Sequence, residues 1–260
     1  MAQPAEPQVK LGGAPPRHDP RTLYFADLRK PGLAPPPPHC NWMAAQTKPV
    51  QFGMFGNDRA GCCTEAAKAN MIRLWNWADQ NRLAPITDAD VLAEYARATG
   101  YDPATGANDT GEVEIDSLNR WRRHGIGGHR IEAYVKVDHA NDLEVRTAIS
   151  LFGGVYIGVG LPLTAQAETG PGKEWRARNG YRGERASWGW HALPIFAYSQ
   201  TAYAGATWGA GQRMTVAFWR KYVAECYAVL PALDWTGPDG INPIGMDVRA
   251  LRDALATLRE

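Results

Sequence analysis

Two side chains far apart in the chain carry its most suggestive chemistry, a thiol and an imidazole. Cys63 follows Asn57-Asp58-Arg59-Ala60-Gly61-Cys62 and opens an apolar run. His191 leads into Ala192-Leu193-Pro194-Ile195-Phe196-Ala197-Tyr198, with Trp208-Gly209 beyond. Unpaired N–H groups and the positive end of the dipole at a helix start favour a thiolate, and a neighbouring imidazolium lowers a thiol pKa further. Together the two residues make a nucleophile and its base. Cys62 competes for the first role, but at a helix start only one of two consecutive side chains can face a cleft. Trp188 and Trp190 flank His191, where they either line a cleft or pack under a sheet. Trp208 alone reads as a core aromatic. His124, His129 and His139 share no spacing and read as solvated or satisfied side chains.

These residues need particular elements to hold them. From Cys63 the positions 66, 67, 70, 71, 74, 75 and 78 share one broad face, which predicts a long helix. Thr87 or Asp88 can cap a second helix that Gly100 ends, and 114–124 predicts a third. Residues 129–137 alternate as a half-buried strand. Residues 141–151 return to helical spacing behind an Asn cap, and 154–161 reads as a buried strand. The stretch 165–187 is polar, Gly-rich and long, either a loop lining a site or an insertion. Strands are expected at 190–198, 203–207, 213–218 and 225–229. Helices first and antiparallel sheet second predict an α+β fold whose N-terminal helical half and C-terminal sheet half meet along a cleft.

Three sections follow along the chain. Residues 1–50 hold more than half of the nineteen prolines, including Pro35 to Pro38, and read as an extended arm. Within the arm, 22–28 is apolar enough to dock on the main body or on a partner. Residues 51–232 form the main domain. Residues 233–260 form a linker and an amphipathic helix over 246–258. With 45% apolar residues the chain can bury a real core. A formal charge of +1 with interspersed signs leaves no basic stripe for nucleic acid. No membrane span and no secretory signal are expected. Cys40, Cys62, Cys63 and Cys226 have neither the number nor the spacing of a disulfide scaffold or a zinc site, so no cofactor or metal is expected. Pairing of Cys40 with Cys226, or of either with Cys62, stays open.

The order and spacing of these motifs, from about Asn57 to Leu230, resemble the papain-like cysteine peptidases, and most nearly divergent members encoded by bacteriophage and prophage. Asn57 stands six residues before Cys63, His191 opens the His-Ala-apolar strand ending at Tyr198, and Thr207-Trp208-Gly209 matches an Asn-Ser-Trp-Gly element. The resemblance implies that Cys63 attacks an amide carbonyl and His191 is its ion-pair partner. It also implies that Asn57 and the Cys63 N–H hold the oxyanion, while Trp208 shields the pair, with Trp190 and Cys62 beside the cleft. One position departs. The Asn that would orient the imidazole falls at Ala206, so the orienter is missing unless Gln200, Thr207 or a backbone carbonyl reaches the same ring nitrogen. Loss of an orienter weakens such a site more readily than it abolishes it.

The expected activity is thiol hydrolysis of a peptide or isopeptide bond in a peptide or protein substrate, in phage maturation or at the host wall. A structural component of a virion, using residues 1–50 to bind neighbouring subunits, is the alternative. A cell-wall amidase of another Cys/His fold ranks third. Virion or bacterial host cytoplasm is the expected location.

Overall fold

The computed structural model describes residues 9–28 and 35–232; the helix expected at 246–258 lies outside them. Among the described residues six α-helices, α1 (Phe25–Leu28), α2 (Cys63–Gln80), α3 (Asp88–Thr99), α4 (Glu114–Arg123), α5 (Asp142–Phe152) and α6 (Val216–Tyr222), accompany one eight-stranded sheet. Its strands are β1 (Cys40–Asn41), β2 (Ile131–Lys136), β3 (Val155–Leu161), β4 (Glu174–Trp175), β5 (Gly189–Tyr198), β6 (Ala202–Thr207), β7 (Ala210–Thr215) and β8 (Val223–Pro231). The order across the sheet is β2-β8-β3-β5-β6-β7-β4, with β1 on β5, and the pairs are antiparallel except β4 with β7.

Local chemistry sets the helix ends. Thr87 and Asp90 form a reciprocal capping box on α3, and Gly100 closes that helix in the left-handed region at φ 76°. Asn141 accepts the Glu144 N–H to start α5, and Gly153 ends it at φ 71°. The longest helix, α2, is buried along nearly its whole length and lies against β5. Trp75 on α2 stacks on Trp121 of α4, with ring centroids 5.9 Å apart, and its indole N–H donates to the Phe152 carbonyl at 2.9 Å.

Two expectations change. Residues 213–218 are not one strand: β7 ends at Thr215, whose hydroxyl accepts the Phe218 N–H and starts α6. Phe218, Trp219 and Tyr222 then share a buried face, a helical spacing that the short apolar run concealed. Helices and strands are also not cleanly successive, because β2 and β3 join the same sheet through β8. Within 165–187, β4 adds to the outer edge of the sheet and buries Trp175.

The described part of the Pro-rich arm lies on the chain's own body. Phe25 is buried and meets Phe152 edge to face at 5.9 Å, and the Leu23 carbonyl accepts the Lys136 N–H at 2.8 Å. Among the described residues, no helix is long and apolar enough to cross a membrane, and all four cysteines are free thiols.

Candidate active site

Cys63 is the first residue of α2, so its sulfur sits among N–H groups that the helix leaves unpaired. The sulfur accepts the Ala192 N–H at 3.4 Å, and the nearby backbone of Thr64 and Gly12 also favours negative charge on it. Ala192 directly follows His191, so the packing of α2 on β5 brings the thiol and the imidazole to one junction across 128 positions of sequence. They are not hydrogen-bonded to each other: among the described residues, His191 Nδ1 is buried with no partner. Both groups are inaccessible to solvent, and burial moves them in opposite directions. It pushes the Cys63 thiol up to about 12, against the N–H groups of Ala192, Gly12 and Thr64, which lower it. It pushes the His191 imidazole down to about 3. In this closed arrangement both are neutral, and the ion pair implied by the resemblance is not formed.

The sheet fixes the other faces of the imidazole. His191 pairs with Val159 on β3, and its Nε2 lies 2.7 Å from the Thr207 hydroxyl at the end of β6. Ala206 faces away, Gln200 is exposed at the opposite end of β6, and Thr207 is the one of the candidates that reaches the ring. Trp208 stacks on the imidazole with centroids 4.3 Å apart and planes 22° from parallel. It holds that position from a tight turn in which Trp208 (φ 48°) and Gly209 (φ 73°) both adopt left-handed backbone.

The remaining expected residues divide. Asn57 is buried six positions before Cys63, and its side-chain amide donates to the Ala60 carbonyl at 3.0 Å, which leaves a second amide hydrogen. Trp190 is half-buried beside His191 and presents its carbonyl to the cleft. Cys62, expected beside the cleft, instead turns its sulfur to the Phe55 carbonyl at 3.5 Å and precedes the helix as its N-cap. Burial pushes its thiol well above the ordinary range.

The N-terminal segment fills the cleft. The Lys10 N–H donates to the Asn57 carbonyl (2.9 Å) and the Lys10 carbonyl accepts the Trp208 indole N–H (3.1 Å). On one wall the Gly13 N–H donates to the Trp190 carbonyl (3.1 Å). On the other, the Glu112 N–H donates to the Gly12 carbonyl (2.8 Å) and the Ala14 N–H to the Glu112 carbonyl (3.0 Å), a parallel pairing. The passage is so narrow that a Cβ on Gly12 would lie 1.6 Å from the Gly61 carbonyl oxygen, and one on Gly13 2.8 Å from the His191 nitrogen. Gly12-Gly13 among prolines was the sequence signal for this contact, a step without side chains inside an otherwise stiff arm.

A buried charge network supports the Glu112 wall. Its carboxylate meets Arg120 and accepts the Thr64 hydroxyl at 3.3 Å. Arg120 also lies 3.4 Å from Glu65, which pairs with Lys68 at 2.7 Å with both side chains wholly buried.

No protein-family model and no curated protein matches the chain. Solved structures do. Xylellain, a cysteine protease from Xylella fastidiosa, superposes with a TM-score of 0.62 at 12% identity, over 88% of this chain and 99% of that one. The digestive procathepsin L 3 of Tenebrio molitor larval midgut gives 0.54 at 11% identity, over 81% and 76%. The procathepsin B S9 of Trypanosoma congolense gives 0.54 at 11% identity, over 85% and 86%. At such identities the likeness is one of fold, and the fold of this chain is that of the papain-like cysteine proteases.

Proposed function

We propose that the chain is a papain-type cysteine peptidase held latent by residues 9–14 of its own N-terminal segment. The observation that carries this reading is the single junction at which the Cys63 sulfur, at the start of α2, accepts the N–H next to His191 while Thr207 and Trp208 hold the imidazole. In the open form His191 takes the Cys63 proton and the thiolate attacks the carbonyl carbon of a peptide or isopeptide bond. The oxyanion goes to the Cys63 N–H and the free amide hydrogen of Asn57. Collapse expels the amine with the proton from the imidazolium, and water, deprotonated by His191, releases the acyl group and restores the thiol.

The structural-protein alternative rested on an arm free to reach neighbours and on a missing orienter. Residues 9–28 lie on the chain's own body and Thr207 stands at the ring, so both observations support the peptidase. The phage setting, with action on a virion or wall protein, rests on the sequence resemblance and is part of the proposal.

The test is digestion of a peptide library by the chain with its N-terminal segment displaced, read by mass spectrometry. Cleavage that disappears in Cys63→Ala supports the reading, and an open, folded chain that cleaves nothing removes it.

A further inference from the structure

We propose that Thr207 positions His191 and fixes its tautomer, with the Nε2 hydrogen donated to the Thr207 hydroxyl and Nδ1 left as the base. The catalytic consequence rests on the peptidase reading; the tautomer does not.

The ring has two nitrogens in very different settings. Nε2 lies 2.7 Å from Thr207 Oγ1, whereas Nδ1 is buried without any partner. A hydroxyl can either donate or accept, so Thr207 alone would permit both neutral tautomers. The empty side decides. A proton on Nδ1 would be an unpaired buried donor, which folded proteins tolerate less than an unpaired acceptor. The neutral ring therefore carries its hydrogen on Nε2, and Thr207 accepts it. Nδ1 keeps the lone pair needed to take a thiol proton.

Thr207 can do this because its position is over-determined. It is the last paired residue of β6, opposite Ala210, and the left-handed Trp208-Gly209 turn follows at once. The ladder of β6 with β7 from Ala202 to Thr207 has no bulge, and the register shift against β5 falls at Ile195–Ala197 on that other strand, so alternation along β6 sends Thr207 towards the imidazole and Ala206 to the opposite face. A one-residue slip would exchange the two. In this chain the orienting function has moved one residue along the strand, from an amide to a hydroxyl, and an amide restored at 206 would face away from the ring.

The experiment uses the full chain labelled with 15N-histidine. Long-range 1H–15N correlations for His191 should show a protonated Nε2 and an unprotonated Nδ1. In Thr207→Val, which keeps the shape and removes the hydroxyl, the two nitrogens should average towards each other, and Thr207→Ser should restore the wild-type pattern. In a Gly12→Val background that opens the cleft, Thr207→Val should slow Cys63 alkylation about tenfold or more and move the acid limb of its pH profile, as expected for a lost hydrogen bond to a group that becomes charged. Thr207→Ser should recover the rate, and adding Ala206→Asn to Thr207→Val should not. If Thr207→Val does not fold, Thr207→Ala takes its place. An Nδ1-protonated ring in the wild type, or a tautomer and pH profile indifferent to the hydroxyl, overturns the proposal. An open chain with the expected tautomer that cleaves no peptide removes the peptidase reading and leaves this one standing.

Discussion

Replacing Gly12 by valine should convert the buried, inert thiol into a reactive one. The Cβ at this position would lie 1.6 Å from the Gly61 carbonyl oxygen, a backbone atom. Gly61 cannot retreat easily, because its N–H is held by Asp109 at 2.7 Å and α2 begins two residues later. Residues 9–14 must leave instead. Their five hydrogen bonds to the cleft walls and the Lys10–Asp109 ion pair, at about 1 kcal/mol each, are largely offset by the conformational entropy of ordering the strand, so the segment holds by only a few kcal/mol. Displacing it admits water to Cys63 and His191. With the thiol at about 12, the thiolate fraction at pH 7 is ~10⁻⁵; at the ordinary ~8.5 it is ~3%, a gain on the order of a thousandfold before any ion pair adds to it. The assay is iodoacetamide alkylation at pH 7 followed by peptide mapping, with circular dichroism to establish that the variant folds. A folded Gly12→Val chain that alkylates at Cys63 no faster than wild type refutes the reasoning that the segment is what silences the thiol.

In that same open background Cys62→Ala should leave the alkylation rate of Cys63 unchanged, since the Cys62 sulfur faces the Phe55 carbonyl, whereas Cys63→Ser should abolish labelling at this site. Lys68→Met should lower stability to urea by about 2–3 kcal/mol, because it removes the wholly buried cation from Glu65 and leaves that carboxylate, among the described residues, only Arg120 at 3.4 Å and the Ser117 hydroxyl at 3.3 Å. Glu114 gives a pH dependence. Burial and the neighbouring Glu225 carboxyl hold its pKa well above the ordinary value, so the folded state binds that proton more tightly than the unfolded chain does. The resulting stability is complete below the unfolded carboxyl pKa and is lost as pH rises through the folded one. Glu114→Gln should flatten that loss in denaturation series taken at increasing pH, and a variant that keeps the wild-type slope would show the carboxyl to be irrelevant.

The helices were legible because their ends are local events. Thr87, Asn141 and Gly100 cap or close helices with their own side chains or backbone, and each was readable without tertiary information. The helix α6 was not, since Arg213 to Phe218 is too short for alternation to be told from a helical face, and Thr215 reads equally as strand residue or cap. The mixed order of the sheet escaped for a different reason: the pairing of β2 and β3 with β8 is long-range and leaves no mark on either segment. At the site, Cys63 and His191 could be located as a thiol at a helix start and an imidazole on a later strand, whereas Trp208 by itself read as a core aromatic and was placed there only by the resemblance. Thr207 could be named only as one of several groups, because choosing among them needs the register of β6. Composition read residues 1–50 as an extended arm and was silent on where residues 9–14 lie, which depends on the fit of Gly12 and Gly13 between two backbone walls.

On the proposed peptidase reading, the direction of that arm explains why it survives beside Cys63. Attack requires a carbonyl carbon at the sulfur and its oxygen at N–H donors. Here the sulfur instead meets the Gly12 N–H, while the Gly12 carbonyl is turned to the Glu112 N–H on the cleft wall. The chain presents a donor where a substrate presents an electrophile. The same N–H stabilises a thiolate yet offers it nothing to attack, and burial keeps the sulfur protonated. The segment is therefore shielded twice, by its orientation and by the charge state it imposes. A peptide running the opposite way between Glu112 and Trp190 loses the first protection, and its entry requires the arm to leave, which removes the second.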